Sequence, residues 1–80
     1  MSKVLYFSAD WCAPCQEMKP VVEQLNSDRL IKYDIDEAVV EREQYQVRAI
    51  PTFILVDENG VELDRVLGAI SLDRLEELLR

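Results

Sequence analysis

An 80-residue chain with 49 % apolar and 31 % charged residues has a globular composition, long enough for one domain over 1–80 with a single core, and carries no low-complexity tract. Its formal net charge of −7 argues against nucleic acid or an anionic membrane as partner, because phosphate binding needs clustered Lys and Arg. No apolar run approaches the length of a membrane span and the stretch 4–7 is too short for a signal-peptide core, so the expectation is a monomeric, cytoplasmic chain.

Strand-forming Val, Tyr and Phe fill the first element, read over 3–8. From Ala13 the apolar spacing changes: Met18, Val21, Val22 and Leu25 fall at i, i+3, i+4 and i+7, which predicts an amphipathic helix over 13–26. Pro20 lies inside that stripe, where it removes the bond to the carbonyl of Gln16 and should kink the helix. Residues 30–35 alternate into a second strand, and the Glu- and Gln-rich segment 37–46 predicts a helix with a thin apolar face. Pro51 then opens Thr52-Phe53-Ile54-Leu55-Val56, apolar on both faces as a buried strand is, and Asp57-Glu58-Asn59-Gly60 supplies turn chemistry. The more polar run 61–66 returns as the outer member of a hairpin, and Gly68 ends it. Ser71 caps a last helix in which Leu72, Leu75, Leu78 and Leu79 line one side. The order β-α-β-α-β-β-α gives a parallel pair at the start and an antiparallel pair at the end, hence an α/β fold with a mixed sheet and helices on both faces.

The only two cysteines lie in Trp11-Cys12-Ala13-Pro14-Cys15, at the junction of the first strand and the first helix. Cys12 falls at or just before the first turn, where unpaired backbone N–H groups and the positive end of the helix dipole favour a thiolate. Cys15, one turn further in, is shielded, so the pair divides into a reactive and a resolving sulfur as thiol–disulfide exchange requires. Zinc would need two further ligands, and the chain has no His and no third Cys. A static disulfide across three positions would close almost no loop and restrict the unfolded chain little. Two inert buried cysteines remain as the alternative, against which stand their Trp and Pro neighbours. For Trp11 the choice is between a core aromatic and a surface role, and its place directly before Cys12 favours the surface.

Ala9-Asp10-Trp11-Cys12-Ala13-Pro14-Cys15, Pro20, Lys32-Tyr33-Asp34-Ile35-Asp36, Ile50-Pro51-Thr52-Phe53 and Leu67-Gly68-Ala69 together resemble thioredoxin over nearly the whole chain. The likeness begins at the family's second strand, which implies a minimal thioredoxin fold of the size of glutaredoxins and short phage or archaeal relatives. It implies a four-stranded mixed sheet in the order second, first, third, fourth, and it accounts for Pro20. The resemblance also makes Cys12 the nucleophile, Cys15 the resolving thiol and Pro51 a cis-proline facing the disulfide. By itself an X-Pro bond favours trans by about ten to one or more. The resemblance further implies active-site support from Trp11, Ala13, Pro14 and Pro51, and pairing of the Ile50 backbone with an extended substrate segment. Trp11, Ile50, Pro51, Gly68 and Ala69 would form an apolar lip that receives a partner protein.

Two departures from the family stand out. Tyr6 occupies the position of the usual buried Asp thought to deprotonate the resolving thiol, although the neighbouring Lys32 is retained. Resolution by Cys15 is therefore expected to use water or another carboxylate such as Asp36, and to be slower or differently pH-dependent. Ala13 replaces the usual Gly, which shifts the potential in a direction the sequence does not give. The resemblance implies reduction of disulfide-containing proteins, with no bound cofactor or metal. Electrons would come from thioredoxin reductase, an NADPH-dependent flavoprotein, or from glutathione. A glutaredoxin-like role is the nearest alternative, favoured by the length and by Tyr6 and disfavoured by Trp11, by the Ala-Pro pair and by Gly68 standing without a paired glycine. An interaction or accessory subunit that uses the lip without chemistry is a third.

Overall fold

The structure, a computed structural model, describes residues 2–80. Strands β1 (Lys3–Ser8), β2 (Leu30–Asp34), β3 (Thr52–Val56) and β4 (Glu62–Leu67) form one sheet in the order β2-β1-β3-β4. Helices α1 (Ala13–Leu25), α2 (Val39–Gln44) and α3 (Leu72–Leu78) connect and close it. β1 and β2 are parallel, joined by the α1 crossover, with Tyr6 opposite Lys32 and Ser8 opposite Asp34. On its other side β1 runs antiparallel to β3, which places Tyr6 opposite Phe53. β3 and β4 form the hairpin, with a register shift between Leu55 and Val56.

Alternation along the two central strands divides the core between the faces of the sheet. Val4, Tyr6 and Phe53 point to one side and pack with Met18 of α1 and with Leu75, Leu78 and Leu79 at the end of α3. Leu5, Phe7, Ile54 and Val56 point to the other and pack with Val47, Tyr45 and Ile50 from the segment that follows α2. β1 and β3 are therefore apolar on both faces, whereas β4 is largely exposed, as expected of an edge.

Element ends deviate from the sequence expectation where side chains redirect the backbone. β2 stops at Asp34, whose carbonyl accepts from the N–H groups of Glu37 (3.0 Å) and Ala38 (2.8 Å) while its Oδ1 accepts from Asp36 N–H (2.9 Å). That turn consumes 35–38, so α2 begins at Val39 behind a side chain, Ala38, that cannot cap it. α1 runs through Pro20 without interruption and ends when Asn26 turns left-handed at φ 46°. In the β3–β4 turn Asp57 Oδ1 accepts from Asn59 and Val61, and Gly60 takes φ 81°. Ser71 caps α3 as expected, its hydroxyl accepting from Arg74 N–H at 3.2 Å. No helix among the described residues is long and apolar enough to cross a membrane.

Candidate active site

The loop from β1 to α1 presents Trp11-Cys12 at the carboxyl end of the central strand, a common location for sites in α/β sheets. Cys12 is the N-cap of α1: its backbone is extended (φ −91°, ψ 114°) and its Sγ accepts the Cys15 N–H at 3.2 Å. A sulfur in that position takes one of the helix's unpaired donors, an interaction that strengthens when the sulfur carries negative charge. No acidic residue occupies the first turn to compete for the positive helix end. Pro14 lies in that turn, where a missing N–H takes nothing from the helix, and Ala13 opens it. Cys12 and Cys15 are joined as a disulfide with Cα atoms 5.2 Å apart.

Burial differs from the simple division into an exposed and a shielded sulfur. Cys12 is 5 % exposed and Cys15 2 %, because Ala9, Ile35 and Ile50 close over both. Trp11, by contrast, is 67 % exposed, which settles its choice in favour of the surface. Its indole Nε1 donates to Asp36 Oδ2 at 2.9 Å, fixing the ring across the mouth of the site. Asp36 is thus an exposed rim carboxylate already engaged by Trp11.

The facing wall is the turn before β3. The Ile50–Pro51 peptide bond is cis, and the Ile50 carbonyl lies 3.8 Å from Cys12 Sγ. Thr52 Oγ1 donates to the Ala49 carbonyl at 2.6 Å, closing this turn from the β3 side. Gly68, at φ 89°, donates its N–H to the Pro51 carbonyl at 2.8 Å, so the end of β4 is tied to the same turn. Ala69 follows it at the surface. A cavity of about 440 Å³ opens beside the disulfide, lined chiefly by Trp11, Ile35, Arg42, Val47, Arg48 and Ile50. Gly68 and Ala69 do not line it. Arg42, Val47 and Arg48 escaped the sequence reading, since they converge only through the irregular turn that ends α2; the signal available was the 42–48 spacing of two cations in an acidic segment.

Under the site, Tyr6 fills the position at which the family resemblance implies a buried acid. Its ring stacks on Phe53 (centroids 4.8 Å apart, 6° between planes) and its hydroxyl approaches the Cys15 carbonyl at 3.5 Å. Burial pushes the phenol above its ordinary value of 10, with a weaker opposing pull from Ser8. It therefore stays protonated at neutral pH and can donate but not take a proton. Among the described residues no group of three or more His, Cys, Asp or Glu is placed to hold a metal ion.

The family model for thioredoxin matches residues 1–80. The chain belongs to the thioredoxin family. It is 37 % identical to thioredoxin H2 of Arabidopsis thaliana over 78 residues, which is 92 % of this chain and 57 % of that protein. With a thioredoxin of Mycoplasmoides gallisepticum the identity is 35 % over 81 residues, covering 96 % of this chain and 80 % of the relative. The chain thus spans little more than half of the plant thioredoxin and four fifths of the mycoplasmal one. Among solved structures, a variant thioredoxin from Halobacterium salinarum superposes with a TM-score of 0.84 at 38 % identity, covering 96 % of this chain and 70 % of that one. Fasciola hepatica thioredoxin gives 0.85 at 34 % identity, with 99 % and 79 % covered. The thioredoxin fold and the cysteine pair of the family are therefore both present, and the CxxC pair supports dithiol–disulfide exchange.

Proposed function

We propose that this chain, as a single monomeric domain of the cytoplasm, reduces protein disulfides through the Cys12–Cys15 pair. The observation that carries the reading is Cys12 Sγ at the N-cap of α1, accepting the Cys15 N–H at 3.2 Å while facing the carbonyl before a cis-proline. In the reduced protein the same N–H and the helix end hold the Cys12 sulfur as thiolate. The thiolate attacks one sulfur of the substrate disulfide, forming a mixed disulfide and expelling the other substrate sulfur, which takes up a proton. Cys15 then loses its proton and attacks Cys12 Sγ, releasing the second substrate thiol and leaving the Cys12–Cys15 disulfide. Two electrons and two protons from a reductase restore the dithiol. Trp11, Ile50 and Pro51, with Gly68 and Ala69 beyond them, receive the substrate segment, and Ala13 and Pro14 shape the first turn. No bound cofactor takes part, and an NADPH-dependent flavoprotein supplies the electrons.

Insulin-disulfide reduction, run in parallel with thioredoxin reductase plus NADPH and with glutathione plus glutathione reductase, tests this reading. Turnover with the flavoprotein reductase is expected. Cys12→Ser should abolish it, and Cys15→Ser should accumulate a mixed disulfide visible by mass spectrometry under non-reducing conditions. Turnover through glutathione alone would move the chain to a glutaredoxin-like role, and silence in both systems would leave an interaction subunit.

A further inference from the structure

We propose that Arg42 and Arg48 make the cavity beside the disulfide a docking site for an extended substrate segment that carries carboxylates near its target cysteine. This rests on the reductase reading above and names the substrate class of that site. The chain has nine Lys and Arg against sixteen Asp and Glu. Arg65 is bound to Glu62, Arg74 to Glu77 and Arg29 to Ser2. Arg42 and Arg48, among the described residues, make no side-chain hydrogen bond or ion pair, yet both line the cavity that Trp11 and Ile50 share.

That cavity adjoins the redox centre, because Ile35 and Ile50 line it and also pack on the two cysteines. A segment lying along Ile50 with its cysteine at Cys12 therefore passes the two guanidiniums. Two carboxylates border the same region. Asp36 is held by the Trp11 indole at 2.9 Å and Glu43 lines a neighbouring groove with Arg42 and Arg48, so the charges balance in number and recognition rests on direct contact of a guanidinium with a carboxylate rather than on a net positive field.

The net charge of −7 does not defeat this arrangement. At physiological ionic strength the Debye length is about 8 Å, so charges elsewhere on the surface are largely screened, whereas a guanidinium and a carboxylate in contact are not. Guanidinium offers paired, parallel N–H donors that fit a carboxylate, the geometry for which Arg is used rather than Lys. Selection therefore comes from the arginine pair in contact, which favours segments whose carboxylates flank the disulfide.

The experiment uses three cystine-containing peptides of one length, with Glu, Gln or Lys flanking the cystine, reduced in single turnovers by the pre-reduced protein so that no reductase takes part. The Glu-flanked peptide should react roughly tenfold faster than the Gln-flanked one at low salt, with the ratio shrinking as salt rises. In the Arg42→Gln, Arg48→Gln variant that ratio should fall toward one, and in Arg42→Glu, Arg48→Glu the Lys-flanked peptide should become the preferred substrate. A wild-type ratio near one, or a ratio that survives both double variants, overturns the proposal. So does a loss confined to glutathione disulfide in the variants, which would assign the arginines to that small anion. Binding of the Glu-flanked peptide with its cysteines replaced by Ser, measured by calorimetry against the oxidised protein, separates docking from chemistry. Binding that depends on the arginines without any peptide reduction would overturn the reductase reading alone, and absent binding overturns the docking site.

Discussion

Tyr6 shows how one residue can serve packing where relatives of this fold are expected to carry chemistry. Its ring is held between β3 and α1 by the stack on Phe53, and its hydroxyl meets the Cys15 carbonyl only at 3.5 Å, near the outer limit of a hydrogen bond. Removing that hydroxyl as Tyr6→Phe should therefore change stability by less than about 1 kcal/mol at neutral pH. The alkaline limb is different. Burial holds the phenol above its ordinary value, so the unfolded chain ionises first. The stability this gives is complete below about pH 10 and is lost as pH rises toward the raised value. Urea midpoints taken between pH 8 and pH 11 should fall less steeply in Tyr6→Phe than in the wild type, with Tyr45, also raised by burial, supplying the remainder. Equal slopes in the two proteins would mean that Tyr6 ionises as freely folded as unfolded. The absence of an ionisable carboxyl at this position was plain in the sequence. What replaces it could not be read there, because the reach of Asp36 depends on a Trp11 contact made across 25 positions. The cis bond before Pro51 likewise came only from family likeness, since local chemistry alone favours trans.

At the scale of elements, strands, caps and the existence of a helix within 37–46 were legible, whereas the limits of α2 and the turn that follows it were not. β1 and β3 carry apolar residues on both faces, and Ser71 is followed by a leucine stripe, so their limits lie in local chemistry. α2 buries no residue and has no side-chain cap, and its position is set by long-range bonds. Arg65 of β4 reaches across to donate to the carbonyls of Tyr45 and Gln46 while pairing with Glu62 at 2.8 Å. A hydrogen bond from Arg65 holds the Glu62 carboxyl below its ordinary value of 4.5. A lowered carboxyl contributes stability above its ordinary pKa and loses it as pH falls through the depressed one. Arg65→Gln should consequently be less stable than the wild type at pH 7, and the deficit should narrow slightly in strong acid without closing, because the bonds to the Tyr45 and Gln46 carbonyls do not titrate. Glu62 and Arg65 are partly exposed, so the ion pair is screened and contributes little. The tie to the α2 turn is the larger part, and hydrogen exchange of the Tyr45 to Val47 amides should speed up in Arg65→Gln at neutral pH. Unchanged exchange there would show that the turn after α2 is held by Val47 packing alone.

For the molecule as a whole, the site and the core share one support. The cis turn at Ile50–Pro51 leads directly into β3, whose Phe53 is fully buried and stacked on Tyr6, while the Cys12 loop leaves β1 on the adjacent strand. A domain of 80 residues has a total stability of only about 4–12 kcal/mol at the usual 0.05–0.15 kcal/mol per residue. Phe53→Ala removes a ring at the junction of β1, β3 and both helices of that face, at a cost of about 3–5 kcal/mol, which is comparable to the whole. By contrast, Leu67→Ala, at a residue 57 % exposed on the edge strand, should stay within about 0.5 kcal/mol of the wild type. The two halves of the site sit on the two strands that Phe53 and Tyr6 join, so disulfide reduction in Phe53→Ala should fall in proportion to the folded fraction measured by circular dichroism. Rates per folded molecule should stay near wild type. A fully folded Phe53→Ala with impaired reduction would place Phe53 in the positioning of the cis turn rather than in the core that carries it.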